Sequence, residues 1–224
     1  MSFVILSDFD GTIVTIDTAE YALRKFADGD WKAVEHEFER GDITFEECLR
    51  KQFAMLKAPE KQLLEELKPV TVLRPNFGTF LDFCDKHRIP LIIVSGGLDF
   101  YIRHFLRSAR LLERVSIYAP KAELTTNGIR VIFPELSDRG SVNFKDDLVR
   151  YYKRQGERPI YVGNGLGDYP AVKTADYSFV IKDSTLAELC RTTTLPYTEI
   201  EDFQEVIEKM KCFLDGNVKS CKVK

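Results

Sequence analysis

With 224 residues, 44% of them apolar, the chain is long enough for one or two globular domains. Its 32 lysines and arginines nearly balance 35 aspartates and glutamates, leaving a net charge of −3, so nothing marks a surface for nucleic acid or membrane. The apolar runs are strand-sized and the Met-Ser-Phe start lacks a basic n-region and a long apolar h-region, so a cytoplasmic location is expected.

Phe3 to Leu6 is a β-branched run that reads as a buried strand and delivers Asp8 and Asp10 two residues apart, followed by the turn-forming Gly11. Residues i and i+2 of an extended segment point the same way, so the two carboxylates converge beyond the strand's carboxyl end. Their repulsion raises at least one pKa unless a cation sits between them. One can then serve as nucleophile or metal ligand while the other, partly protonated, acts as general acid and base. The plainer alternative is a turn in which both carboxylates satisfy backbone amides.

From Thr15 to about Pro75 strand character gives way to helical spacing, with apolar positions at Tyr21, Leu23, Phe26, Val34, Phe38, Cys48, Leu49, Phe53 and Leu56. Asp17-Thr18 and Thr44, with Glu47 three residues on, signal helix starts. The segment reads as a helical cap over residues 15–75, inserted into a core of residues 1–14 and 76–224, its apolar stripe assigned to packing rather than to a substrate cage.

Pro90 to Val94 reads as the next strand, and Ser95-Gly96-Gly97 opens a helix over 98–111. A hydroxyl and exposed amides at a helix N-terminus suit a phosphate, although the tripeptide alone is an ordinary turn. A strand near 114–119 follows, then an alternating stretch over 122–133 around Asn127-Gly128 that predicts a β-hairpin with a type I′ turn and no chemistry. Lys145 opens a helix over 144–155, just before a strand near 158–162; a lysine alone is a solvated surface residue, and only this position singles it out. Beyond that strand stand Gly163-Asn164-Gly165-Leu166-Gly167-Asp168, a strand near 177–181, a helix over 203–214 and a basic end from Lys219 to Lys224, read as a solvated terminus. Cys48, Cys84, Cys190, Cys212 and Cys221 are scattered and read as reduced; His36, His87 and His104 share no ligand spacing. The alternation predicts an α/β fold, a Rossmann-like parallel sheet with right-handed crossovers and an inserted helical cap. It gathers every candidate residue at the carboxyl ends of strands.

Asp8-Phe9-Asp10-Gly11-Thr12, Ser95-Gly96-Gly97, Lys145 and the stretch from Gly163 to Asp168, in that order, resemble the four motifs of the haloacid dehalogenase superfamily. The resemblance implies a magnesium-dependent phosphomonoester hydrolase, with Asp8 as the nucleophile that becomes an aspartyl-phosphate and Asp10 as general acid and base. It implies that Thr12, Ser95, Gly96 and Lys145 hold the phosphate, and that Mg2+ is held by Asp8, the Asp10 carbonyl, Asn164 and, through water, Asp168. The fourth motif of the family usually reads Gly-Asp-x-x-x-Asp, so Asn164 stands where an acid normally does. An amide carbonyl can ligate Mg2+, but with one negative charge fewer, and weaker metal binding is expected. Asn164 leaves three readings open: a native variant that still binds magnesium, a non-catalytic phosphometabolite-binding pseudoenzyme, or an introduced Asp-to-Asn change.

A cap between the first two motifs is similar to the branch that contains phosphoserine phosphatase, over about residues 3–185, and implies a small phosphorylated metabolite as substrate. Phosphoserine phosphatases usually read Asp-x-Asp-Ser-Thr, with a Glu nine residues after the nucleophile and a cap Arg. Here those places hold Asp-Gly-Thr, Asp17 and Gln52, with Arg50 nearby. Phosphatases of methionine salvage that act on 2-hydroxy-3-keto-5-methylthiopentenyl-1-phosphate are more similar, sharing Asp-Phe-Asp-Gly-Thr-Ile, an Asp at the same spacing and Ser-Gly-Gly-x-Asp-Phe, here Ser95 to Phe100. Asp17, Arg50 and Gln52 are therefore candidate substrate residues. Transfer of the phosphoryl group to an alcohol is an alternative within the branch. Monomer and homodimer both remain open.

Overall fold

The computed structural model describes residues 2–125 and 128–215. Strand β1 (Phe3–Ser7) is followed by four inserted helices, α1 (Thr18–Phe26), α2 (Trp31–Glu39), α3 (Phe45–Ala54) and α4 (Glu60–Leu67), and α5 (Phe77–His87) leads back to β2 (Leu91–Val94). Next come α6 (Asp99–Ser108), β3 (Ser116–Tyr118) and a hairpin of β4 (Lys121–Thr125) and β5 (Gly128–Ile132). The chain then alternates through α7 (Phe144–Arg154), β6 (Arg158–Gly163), α8 (Tyr169–Thr174), β7 (Tyr177–Ile181), α9 (Thr185–Thr192), β8 (Thr198–Ile200) and α10 (Phe203–Leu214).

Six strands form one sheet in the order β3-β2-β1-β6-β7-β8, every pair parallel. Successive residues of a strand face opposite sides, and each side has its own core. Ile5, Ile93, Ile160 and Phe179 pack with α5, α6 and α10, whereas Val4, Leu6, Tyr161 and Val180 pack with α7, α8 and α9. The chain leaves β1 toward β2 on one side and returns to β6 on the other, so the crevice beyond β1 is the switch point where α/β sheets bind ligands. Ser7 pairs with both Ile93 and Val162, which sets Asp8, Ser95 and Asn164 side by side at that crevice.

The inserted helices start where their caps dictate. Asp17 accepts from Glu20 N, Asp30 from Ala33 N, and Thr44 with Glu47 forms a complete capping box. The two connections to the sheet run antiparallel and are tied together: Val14 bridges Leu73, and Arg74 N donates to Ile13 O at 2.8 Å. Helix α3 lies against the rest of the molecule. Glu46 Oε1 accepts from Phe144 N at 2.9 Å, Phe45 stacks on Phe144 at 6.0 Å, Arg50 covers Phe133 at 4.9 Å, and Gly128 fits against the Ala54 carbonyl where a Cβ would collide.

The expected strands are all present; β8 was not anticipated, being three residues long and without a continuous apolar run. In the hairpin, Gly128 pairs with Thr125 and belongs to β5. The turn type and the basic end from Lys219 lie outside the described residues. Among the described residues no cysteine is in a disulfide and no helix is long and apolar enough to cross a membrane.

Candidate active site

The loop after β1 carries the densest constraint. Asp8 N donates to Val162 O at 2.9 Å, fixing the loop to β6, and the chain then tightens into one irregular helical turn, Phe9–Ile13. Gly11 adopts φ +67°, and a Cβ there would overlap the Asn164 amide, so only glycine serves both the turn and the approach. From behind, Arg74 spends its guanidinium on main-chain carbonyls: Nη2 donates to Gly11 O at 2.6 Å, Nε to Thr12 O at 2.7 Å and Nη1 to Glu201 O at 3.0 Å. Arg74 carried no sequence signal, since it is one basic residue among 32. Arg74→Met should leave these carbonyls without their charged donor and cost about 2–4 kcal/mol in urea unfolding. A cost below about 0.5 kcal/mol would deny it this role.

Lys145 and Asp168 complete the floor. Asn143 caps α7 by accepting from Lys145 N and Asp146 N, and donates to Gly167 O at 2.8 Å, which locks the start of α7 to the loop after β6. Lys145 Nζ lies 2.9 Å from Asp8 Oδ1 and 2.6 Å from Asp168 Oδ1. Asp168 Oδ1 also accepts from Tyr161 OH at 2.6 Å, and its Oδ2 accepts from Asn164 N and Gly165 N at 3.0 Å each. Four donors occupy both oxygens, so Asp168 organises Lys145 and the Asn164 backbone and presents no direct ligand oxygen.

These charges are buried, and their pKa values move accordingly. Burial, then repulsion from Asp168, holds the Asp8 carboxyl well above its usual range against the pull of Lys145. Burial alone would lower Lys145, but Asp168 and Asp8 outweigh it and keep the ammonium protonated. Asp10 is pushed up to about 7 by burial and by Asp17, against hydrogen bonds to its Oδ1 from the Thr18 backbone N–H at 2.9 Å and the Thr18 hydroxyl. A carboxyl at that value is poised for proton transfer near neutral pH.

A raised carboxyl pKa makes ionisation cost stability. The cost is absent below the unfolded value of 3.8, grows as pH rises and is complete above about 7, where it is on the order of 4 kcal/mol. Asp10→Asn, measured in chelator, should therefore stabilise the fold, and by more at pH 8 than at pH 5.5; an equal gain at both pH values would contradict this.

Above the floor lies a cavity of about 320 Å³, walled by the ends of β1, β2 and β6 and by α1, α2 and α3. Ser95 is fully buried at the end of β2, its Oγ accepting from Gly97 N at 3.0 Å, and Ser95, Gly96 and Gly97 line the cavity. A Cβ at Gly167 would collide with the Phe45 ring, and one at Gly96 would collide with Leu49 Cδ1 and crowd the same ring. Of the residues expected to contact phosphate, Thr12 is the exception: it is buried outside the cavity wall with its hydroxyl 2.9 Å from the Asn164 amide. Of the expected substrate residues, Asp17 and Gln52 line the cavity, whereas Arg50 is exposed and lies over Phe133. Leu23, Phe38, Cys48 and Leu49, read from sequence as packing, also line it, joined by Trp31, Glu20, Glu35 and Glu39. Helical spacing placed them on an inward face but could not say that this face borders a cavity.

Among the described residues no three His, Cys, Asp or Glu side chains converge as a metal cage. What converges is one Asp8 carboxylate oxygen, the Asp10 carbonyl and the Asn164 amide. One terminal atom of that amide lies 3.3 Å from Asp8 Oδ2 and 2.9 Å from Asp10 O. Oxygens sharing a Mg2+ at about 2.1 Å and at right angles lie about 3 Å apart, so with its oxygen facing inward the amide completes a set that fits the ion.

The chain matches the family model of haloacid dehalogenase-like hydrolases over residues 5–173. It is 30% identical to a 2-hydroxy-3-keto-5-methylthiopentenyl-1-phosphate phosphatase of Brevibacillus brevis, over 91% of this chain and 93% of that one. A protein of the same name from Geobacillus kaustophilus is 29% identical over 93% and 95%. Among solved structures, a substrate-bound phosphoserine phosphatase superposes with a TM-score of 0.68 at 18% identity, covering 93% of this chain and 98% of that chain. A phospho-aspartyl intermediate analogue of phosphoserine phosphatase gives 0.67 at 18% identity, over 92% and 98%. The fold, the ordered motifs and these matches agree: the chain belongs to the haloacid dehalogenase-like hydrolase family.

Proposed function

We propose that this protein is a phosphatase that hydrolyses a small phosphorylated metabolite through an aspartyl-phosphate on Asp8. The observation that carries the reading is the Asp8 carboxylate on the cavity floor, 2.9 Å from Lys145 Nζ, with the Ser95-Gly96-Gly97 turn and Asp10 beside it. Asp8 attacks the phosphorus as the bond to the substrate oxygen breaks, and Asp10 gives its proton to the leaving alkoxide. Asp10 then takes a proton from the water that attacks the aspartyl-phosphate, releasing phosphate and restoring Asp8. Ser95, Gly96 and Lys145 orient the phosphoryl oxygens and neutralise their charge, so positioning and electrostatics carry most of the catalysis. Mg2+, held by Asp8, the Asp10 carbonyl and the Asn164 amide, would add positive charge beside a phosphoryl oxygen.

Residues 15–75 act in this reading as the cap of a core formed by 1–14 and 76–224, excluding bulk water above Asp8. Among the described residues lining the cavity, Lys145 is the sole cation, Trp31, Phe38 and Leu49 give an apolar wall, and Asp17, Glu20, Glu35 and Glu39 oppose a second anion. That lining favours a substrate whose part beyond the phosphate carries no carboxylate. The keto-methylthiopentenyl phosphate named for the sequence relatives is of that kind, and we propose a substrate of its class. Phosphate release from an aryl phosphate and a panel of small phosphomonoesters, with Mg2+ present and with added alcohols, tests the reading. Release favouring uncharged, apolar tails supports it. Binding without release would overturn hydrolysis, and recovery of the phosphoryl group mainly on alcohol would make the protein a phosphotransferase.

A further inference from the structure

We infer that the Asn164 amide substitutes for the metal ion: in the absence of Mg2+ its Nδ2 closes the site by donating to the same oxygens that would otherwise ligate the cation. The inference rests on the proposed assignment of Asp8, Asp10 and Asn164 as the residues facing magnesium.

The inward-facing atom of the amide has three oxygens around it: Asp10 O at 2.9 Å, Thr12 Oγ1 at 2.9 Å and Asp8 Oδ2 at 3.3 Å. A carbonyl and a carboxylate only accept, so an amide oxygen placed there without a cation would face two acceptors at close range. The amide nitrogen can donate to these acceptors, and the bonding environment selects Nδ2 inward. The backbone of Asn164 gives the side chain little other choice. Its N donates to Asp168 Oδ2 at 3.0 Å, its carbonyl accepts from Leu186 N at 3.1 Å, and Gly11 leaves no room on the other side of the amide. What remains free is rotation of the amide by half a turn, which exchanges nitrogen for oxygen at one place.

The two faces of the amide therefore serve two states. With nitrogen inward, the Asp8 and Asp10 oxygens are hydrogen-bonded and the loop of Asp8 is held to β6 without an ion. With oxygen inward, the same side chain supplies the third ligand oxygen. An aspartate at this position has only oxygens to offer, so without a cation it would add a further carboxylate to a site where Asp8, Asp10 and Asp168 are already buried and Lys145 is already paired with Asp8 and Asp168. Magnesium must break the amide hydrogen bonds to enter this site and gains one less negative charge on arrival, so it binds weakly, and its removal leaves the fold intact.

The experiment compares the intact chain with Asn164→Asp and Asn164→Ala by thermal unfolding in EDTA and in millimolar Mg2+, and by calorimetric titration of Mg2+ alone. The intact chain is expected to shift its midpoint by no more than about 1 °C between EDTA and Mg2+. Asn164→Asp should unfold several degrees lower in EDTA, recover in Mg2+, and bind Mg2+ at least about tenfold more tightly. Asn164→Ala, which offers neither face, should be less stable by a similar amount in both solutions, and remains informative if Asn164→Asp fails to fold without metal. A chelation-induced loss in the intact chain as large as in Asn164→Asp, equal Mg2+ affinity in the two, or an unchanged midpoint for Asn164→Ala in EDTA would overturn the inference. Phosphate release from the same preparations is read separately. An inactive protein with the expected metal response would remove the proposed hydrolysis and leave the role of Asn164 standing, and an active protein with the contrary response would do the reverse.

Discussion

Asp8→Asn is expected to fold normally and to release phosphate at least about 10⁴-fold more slowly than the intact chain, because an amide oxygen is too weak a nucleophile to form the covalent intermediate. The fold should tolerate the change. The carboxylate pKa of Asp8 is raised by its surroundings, so neutralising it relieves a buried charge. Lys145 keeps Asp168 at 2.6 Å as its charged partner, and an asparagine oxygen can still accept from its Nζ. Steady-state release by Asp8→Asn protein, with the substitution verified by mass, checks the prediction. Turnover within about tenfold of the intact chain would remove Asp8 as the nucleophile.

Lys145→Met should be damaging in two ways at once. It removes the ammonium that lies between Asp8 and Asp168, leaving two buried carboxylates without their common counter-ion, and breaking such a buried pair costs about 3–5 kcal/mol. It also removes the sole cation among the described cavity residues, with an expected loss of about 10²–10³ in turnover. The sign of the pH effect follows from the same contact. Lys145 pulls the Asp8 pKa down, so without it Asp8 ionises only at higher pH, and the rising limb of the residual pH–rate profile should lie at higher pH than in the intact chain. Urea unfolding and a pH–rate profile read the two effects separately; unchanged stability with an unchanged profile would show that the ion pairs do not matter.

Much of this arrangement is legible in the sequence, and for a physical reason. Asp8, Asp10, Ser95 and the Gly163–Asp168 stretch follow strand ends and Lys145 opens the helix that leads into β6, and a parallel sheet brings strand ends and the starts of such helices to one crevice, so local pattern sufficed to bring them together. The inserted helices were equally readable, because Asp17 and Thr44 cap them through contacts only three residues long. Arg74 was invisible because its partners are distant in sequence: it reaches Gly11 and Glu201, and nothing near it specifies either. For Thr12 and Arg50 the motif or helix gives the position but not the side-chain direction, which takes Thr12 to the Asn164 amide and Arg50 onto Phe133. The inward face of the inserted helices was also visible, yet whether Phe38 and Leu49 meet a core or a cavity depends on how far α2 and α3 stand from the sheet. No periodicity encodes that distance.

In the proposed mechanism Asp8 carries the phosphoryl group. Its most direct test is to quench the protein in borohydride during turnover of an aryl phosphate and map the modified residue by mass spectrometry, since an acyl phosphate is reduced there to the alcohol. Homoserine is expected at position 8 and nowhere else, and is expected to be absent from Asp8→Asn protein. Phosphate release in a single turnover with residue 8 unmodified, or with the label on another carboxylate, would contradict it.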